Sequence, residues 1–553
     1  MKIFGWLVLI NSFVLCFANT QNEVKKPITV VICSYNNKNY YQKNLESVLS
    51  QKYPNFRVIY TDDCSPDGTG DAVYNFVKNH PNGHKVQVLL NQERRKAMAN
   101  LWSAIHSCAD NEIIVTLDGD DWLPHDDVLD IVSSYYSDPN TWIAYSNHMR
   151  FPGGKPGISR PLNNKIIKRN GVRGHPYVVS HLRSFYAGLF KRIKLQDLMY
   201  HGQFAPATYD LAMFFPMLEM AAGHIQFMKE ILYVYNCINP ISDLRVHRKL
   251  QADIDKYLRK LKPYPRLTHN PTIEEIPSMK NAVDIIVFSY NRPMQLQAYL
   301  ESLQKLTSHY NQVTAIYRSD NQEYEEGYEI VKRNFPAVKW VQQFNPPSDF
   351  KQLTVDALCD TQSQAEFVVF AVDDMIVKDT IDFLEIARLM KKTGAHGFYL
   401  RMGNNINFSY MAGTSNPAPV LVPIEPNVYA WGFAFGGSEW GSPHTLDMTV
   451  YRKADIAPAF KLMHFDNPNY LEAMWAKLAD KSKIGLCYEL SKTINIPINI
   501  VTTYPNKNLN YYSTEDLLTS FLQGNRIDIN AVYQMVNNSP HVDLCPTFIS
   551  AHD

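Results

Sequence analysis

From Pro27 onward the chain alternates short β-branched apolar runs with stretches of helical apolar spacing, and this alternation restricts the possible folds more than any other feature. Thr29 to Cys33 reads as a buried strand, Tyr40 to Gln51 as a helix and Phe56 to Tyr60 as the next strand. Val86 to Leu90 and Glu112 to Leu117 continue the series, with a helix over Met98 to Ser107 between them. Such a pattern predicts an α/β domain built on a mostly parallel sheet. Acidic and turn residues follow the strands at Asp62-Asp63 and at Asp118 to Asp121. Ligands of open α/β sheets bind beyond the carboxyl ends of the strands, so both clusters are expected to line one crevice.

The pattern then restarts. After a charged, proline-containing stretch over Arg248 to Lys280, the run Val283-Asp284-Ile285-Ile286-Val287-Phe288-Ser289-Tyr290-Asn291 echoes Ile28-Thr29-Val30-Val31-Ile32-Cys33-Ser34-Tyr35-Asn36. Further on, Glu366 to Val372 followed by Asp373-Asp374 echoes Glu112 to Leu117 followed by Asp118 to Asp121. The expected organisation is a first domain over 27–247, a linker over 248–281, a second copy of the architecture over 282–503, and a small helical appendage over 504–553. The appendage helix is expected at Ser513 to Gln523, opened by a capping sequence, and no chemistry is visible in it.

Composition narrows the function. Lys plus Arg and Asp plus Glu both total 54, so no basic field exists to hold nucleic acid, and recognition must come from local sites. Lys2 followed by an apolar run from Ile3 to Ala18 predicts a signal peptide over 1–18, and with it a secretory, lumenal or exported protein without a stable membrane span. An uncleaved N-terminal anchor is the alternative. The eight cysteines show no CxxC pair and no regular spacing, which suggests neither a disulfide scaffold nor a zinc site.

Moving a sugar from a nucleotide diphosphate requires something to hold the diphosphate charge as the glycosidic bond breaks, and a hard cation bound by carboxylates does this. Asp118, Asp120 and Asp121 suit that task, with Gly119 permitting close backbone approach; a solvated acidic turn capping the next helix is the plain alternative. Val31-Ile32-Cys33-Ser34-Tyr35-Asn36, then Val58-Ile59-Tyr60-Thr61-Asp62-Asp63-Cys64-Ser65-Pro66-Asp67-Gly68-Thr69, then Leu117-Asp118-Gly119-Asp120-Asp121-Trp122-Leu123 closely resemble, in that order, the motifs of family 2 glycosyltransferases. The resemblance covers most of residues 27 to about 245. It implies the GT-A fold and an inverting transferase that uses a nucleotide-activated sugar, often a UDP-sugar, with Mn²⁺ or Mg²⁺, acting on a glycan, protein or lipid hydroxyl.

Carried over residue by residue, the resemblance puts Ser34 and Tyr35 beside the nucleotide and gives Asp63, with Asp62 next to it, the bond to base or ribose. It turns Asp118 to the ribose and metal and makes Asp120 a metal ligand, with Asp121 supporting either. Many relatives carry an arginine where this chain has Ala99, so Arg94 or Arg95 must substitute, and Arg95 is the assigned candidate. Asp210, in Thr208-Tyr209-Asp210-Leu211, resembles the acid that serves as general base, although many relatives have Glu-Asp where this chain has Tyr209-Asp210.

The second half also looks like a GT-A glycosyltransferase, in degraded form. Tyr317-Arg318-Ser319-Asp320-Asn321 replaces the acidic turn after its second strand, and Asp373 and Asp374 alone remain of the later motif. Asp447 is a candidate acceptor-site acid, while the aromatic stretch Tyr429 to Trp440 reads chiefly as core. This half is expected to be a second transferase or an inactive domain that binds acceptor glycan. For the whole chain, the rival to an enzyme is a secreted or lumenal carbohydrate-binding protein with an inactive transferase fold.

Overall fold

The run Ile28–Ser34 forms strand β1, in which every residue except Cys33 is buried. It lies between β2 (Phe56–Asp62) and β4 (Ile113–Asp118), parallel to both. In this computed structural model residues 25–241, 246–272, 281–501 and 511–550 are described; the expected leader over 1–18 lies outside them. With β3 (Val86–Leu90), β5 (Ile143–Phe151), β6 (Arg183–Tyr186) and β7 (Ile225–Asn236) they make a seven-stranded sheet of order β3-β2-β1-β4-β6-β5-β7. The mostly parallel α/β expectation is met, and the four strands read from the sequence, β1 to β4, each end within two residues of the expected position. Helix 41–49 packs Leu45, Val48 and Leu49 beneath the sheet, and its buried Asn44 donates from Nδ2 to the carbonyls of Asp118 (2.9 Å) and Asp121 (2.7 Å). The acidic turn is thus held from below by a core side chain.

A second sheet repeats the connectivity. Its strands are β8 (Val283–Tyr290), β9 (Val313–Arg318), β10 (Lys339–Gln342), β11 (Phe367–Val372), β12 (Gly397–Tyr399), β13 (Val422–Glu425), β14 (Val428–Gly432), β15 (Thr449–Arg452) and β16 (Ile484–Tyr488), in the order β10-β9-β8-β11-β15-β12-β16-β14-β13. In both sheets four parallel strands are followed by two antiparallel pairings and one parallel pairing, so the first seven positions agree in order and sense. The aromatic run supplies core, with Trp431, Phe433 and Trp440 fully buried.

The halves touch. One apolar cluster contains residues of both sheets, Lys392 Nζ lies 4.6 Å from the Trp102 ring centre, and Arg95 Nη2 donates to the Pro423 carbonyl at 3.4 Å. The stretch after 504 is more than a helical appendage. Its helix Thr514–Leu522 opens on a Ser513–Asp516 capping box, as expected, but Asn525–Ile527 then pairs with Phe548–Ser550, and His541 bridges to Asn495 of the second half.

Helix 209–221, which positions the candidate base, is anchored by a buried ion pair. Arg173 donates to both oxygens of Glu219 (2.6 and 2.9 Å) and to the Leu258 carbonyl, while the Tyr264 amide donates to Glu219 as well. Breaking one partner of such a pair leaves an uncompensated buried charge, which costs about 3–5 kcal/mol. Glu219→Ala is therefore expected to lower unfolding stability by about that amount in a denaturant titration, and Arg173→Met with Glu219→Leu to recover much of it.

Candidate functional site

At the carboxyl end of β4 the chain turns through Asp118-Gly119-Asp120-Asp121 directly beside the end of β1, where Cys33 pairs with Asp118. Gly119 is required by proximity. A Cβ there would sit 2.7 Å from both Ser34 Cβ and Asn37 Nδ2. Neither neighbour is a flexible chain end, so Gly119→Ala is expected to lower stability by about 1–3 kcal/mol and to displace Ser34, read as a fall in melting temperature together with weaker donor binding.

The three acids of the turn differ in placement. Asp118 Oδ1 accepts from the Tyr209 hydroxyl at 2.5 Å, and Asp120 Oδ2 accepts from Asn239 Nδ2 at 2.7 Å. Asp121 is 1% exposed, with Oδ1 bound by the Asn236 amide (2.7 Å) and Oδ2 by the Tyr233 hydroxyl (2.6 Å). Burial, reinforced by the charges of Asp120 and Asp118, drives the Asp121 carboxyl well above the usual range. This corrects the expectation of Asp121 as a metal ligand: both of its oxygens are engaged within the core, where it locks the turn to β7. Among the described residues no group of three or more His, Cys, Asp or Glu is arranged to enclose a metal ion. The two remaining carboxylates suit a hard cation that completes its shell with water and phosphate oxygens.

On the other wall, Ser34 is buried and its Oγ accepts from Asn37. Asp62 and Asp63 are both engaged by their own loop. Asp62 accepts from the Ser65 amide and hydroxyl, while Asp63 accepts from Asn91 Nδ2 and from the amides of Arg95 and Lys96 (2.7 to 2.8 Å). Asp63 thereby fixes the start of helix 96–106, an anchoring task that the resemblance does not include. The basic side chains divide in a way the sequence leaves open. Arg94 lies over the Tyr35 ring, its Cζ 3.7 Å from the centre, whereas the Arg95 guanidinium reaches away to Pro423. Arg94, not the expected Arg95, is the cation beside Tyr35.

Asp210 opens helix 209–221 and faces Arg183 of β6, Oδ2 to Nη1 3.6 Å. Its side chain retains 30% exposure, enough to meet a substrate hydroxyl. Burial raises its carboxyl above the usual range and the Arg183 charge opposes the rise. Its neighbour Tyr209 stands where many relatives have an acid; burial and the Asp118 charge push its phenol upward, so it remains the donor to Asp118. Tyr209, Tyr233, Arg183 and Asn239 are site residues that motif reading missed. The only signal for them is polarity at strand and helix ends inside apolar runs.

The second half differs from a degraded copy of the first in one measurable respect. Phe288 pairs with Val372 as Cys33 pairs with Asp118, so Val372 takes the place of Asp118, Asp373 that of Gly119 and Asp374 that of Asp120. This shifts the sequence echo by one residue. Asp373 accepts from the Ser289 hydroxyl (2.9 Å), the Tyr290 amide (3.2 Å) and Arg292 Nη1 (3.0 Å), and Arg292 Nη1 also contacts Asp374 (3.4 Å). Arg318 stands in the Asp63 position, stacked on Tyr290 at 4.3 Å. Asp447 lies 3.6 Å from both Arg401 Nη1 and His541 Nε2. A cavity of about 700 Å³ opens among these groups.

A parallel-cored α/β sheet with an acidic turn at the end of its fourth strand, and a helix-borne carboxylate tied to that turn through Tyr209, is the layout of a ligand-processing nucleotide-type fold. Residues 29–195 match the model of glycosyl transferase family 2. The chain is similar to the bifunctional glycosyltransferase pgtA of Dictyostelium discoideum, 23% identical over 198 residues, covering 32% of this chain and 25% of that protein. It is also similar to the poly-beta-1,6-N-acetyl-D-glucosamine synthase of Staphylococcus epidermidis, 26% identical over 125 residues, covering 23% of this chain and 29% of that one. The match thus spans a quarter to under a third of these two relatives' length. Among solved structures, S. aureus TarS 1-349 in complex with UDP-GlcNAc aligns at 18% identity and a TM-score of 0.31, covering 38% of this chain and 59% of that one. No helix among the described residues is long and apolar enough to cross a membrane.

Proposed function

We propose that the N-terminal half transfers a sugar from a nucleotide-diphosphate donor, a UDP-sugar in the first instance, to a hydroxyl of a glycan, protein or lipid acceptor, with inversion. The observation that carries the proposal is the Tyr209 bridge. One residue ties the acidic turn to the helix that bears Asp210, so a donor held at the turn presents its anomeric carbon toward a carboxylate. Asp118 and Asp120 would hold Mn²⁺ or Mg²⁺, which when bound offsets the charge of the departing diphosphate. Arg94 on Tyr35 and the Ser34 wall bind the nucleotide. Asp210 takes the acceptor proton while the hydroxyl oxygen bonds to the anomeric carbon from the face opposite the diphosphate, whose oxygen leaves with the electron pair. Arg183 orients Asp210 and opposes the rise that burial imposes on its carboxyl.

We also propose entry into the secretory pathway, on the strength of the apolar run from Ile3 to Ala18. N-terminal sequencing of the expressed protein reads it: an intact Met1 on a soluble product overturns it. The activity test is release of nucleoside diphosphate from a panel of UDP- and GDP-sugars with Mn²⁺ and with EDTA. Turnover that EDTA abolishes supports the proposal, and absence of turnover with every donor and a range of acceptors shifts the chain to a carbohydrate-binding protein with an inactive fold.

A further inference from the structure

The cavity of the second half stands apart from the donor turn and does not depend on how that turn is read. Three features set its ligand chemistry. First, of the two carboxylates that would hold a cation in the first half, only the counterpart of Asp120 is kept here, as Asp374, and it is met by a guanidinium. Val372 stands for Asp118, Arg318 for Asp63, and the buried Arg292 guanidinium lies between Asp373 and Asp374. Second, the lining is acidic, with six carboxylates against three arginines and no lysine, a field that repels a diphosphate lacking a counter-cation. Third, the wall mixes donors and acceptors: Arg292, Arg401 and Asn495 line it beside the carboxylates. Donors, acceptors and carboxylates converging on one space match the mixed character of sugar hydroxyls, each of which donates and accepts.

The walls add shape. Tyr290 gives an aromatic surface for the C–H side of a pyranose, with Phe288 and Phe350 buried behind the wall, and about 700 Å³ suffices for a short oligosaccharide. Helix 468–476, between β15 and β16, occupies the topological place of helix 209–221 between β6 and β7, and it brings Glu472 to the cavity. Burial and the charge of Asp447 push Glu472 up to about 7, and burial, opposed by Arg292, carries Asp374 to about 7. Carboxyls that take up protons near neutrality can donate as well as accept hydrogen bonds, which suits sugar hydroxyls.

We propose that this cavity is a second binding site that holds an uncharged oligosaccharide, not a sugar nucleotide, with Glu472, Asp447 and Asn495 gripping its hydroxyls. The chain then carries a donor site on one sheet and a glycan-holding site on the other.

The test uses the full-length protein with Asp120→Ala, which disables the donor turn. It is applied to an array of uncharged gluco-, manno-, galacto- and N-acetylglucosamine oligosaccharides, and titrated with UDP in EDTA. The expected result is retention of at least one oligosaccharide, weakened about tenfold by Glu472→Gln and by Asn495→Ala, the scale on which a buried hydrogen-bond partner left unsatisfied weakens binding. UDP should neither bind nor compete. Glu472→Gln keeps the side-chain shape and the acceptor for the Leu446 amide, so folding is preserved even if Asn495→Ala unfolds. Retention of no oligosaccharide, retention indifferent to Glu472→Gln, or EDTA-resistant UDP binding displaced by that variant would each overturn the proposal.

Discussion

Asp120→Ala is expected to reduce sugar transfer by about 10³-fold or more, the scale on which enzymes lose rate when a preorganised charge at the reacting centre is removed. The physical reason is placement: Asp120 sits at the end of β4, one residue past a glycine that permits the turn to press against Ser34. The informative partner is Asp121→Asn. If Asp121 ligated a metal, this change would be as damaging as Asp120→Ala. Because both Asp121 oxygens are held in the core by Tyr233 and Asn236, an amide preserves its shape and part of its hydrogen bonding, and turnover should stay within about threefold. Comparable collapse of both variants would return Asp121 to the metal set.

Asp210→Asn should cost about 10²- to 10⁴-fold in kcat with little change in donor affinity, the range for loss of a positioned general base. Its pH profile is more diagnostic. A base works deprotonated, so the rate should rise with pH through the folded pKa of Asp210, which burial sets above the ordinary carboxylate value of about 4. Arg183→Met removes the charge that opposes that rise and should move the acid limb further up the pH axis, whereas a structural role alone would lower activity without displacing the limb. A profile flat down to about pH 4 would exclude Asp210 as the base.

Strands β1, β2, β4, β8 and β11 were legible because each is a buried β-branched run, and the acidic turns were legible because they follow β4 and β11. Residues that act through distance in sequence were not. Tyr209 meets Asp118 across 91 positions, and Tyr233 meets Asp121 across 112, contacts that no local pattern encodes. The twin motif Asp373-Asp374 was visible, but its offset was not, because only strand register shows Val372 opposite Phe288. Glu472 escaped notice for a similar reason. It sits mid-helix in an ordinary sequence, and the correspondence of its helix to helix 209–221 emerges only from the order of strands around it. Arg94 and Arg95 were adjacent and chemically identical, so nothing short of their side-chain directions could separate them.

The Arg95 bond to Pro423 joins the loop that Asp63 organises to a strand of the opposite sheet. Thermodynamic linkage then runs in both directions across that seam: whatever ligand steadies β13 must favour the ordered donor loop by the same factor that a bound donor favours β13. Expressing residues 27–247 alone would delete one end of this tie, so an isolated N-terminal half is a poor proxy for the enzyme, and coupled titrations belong on the intact chain.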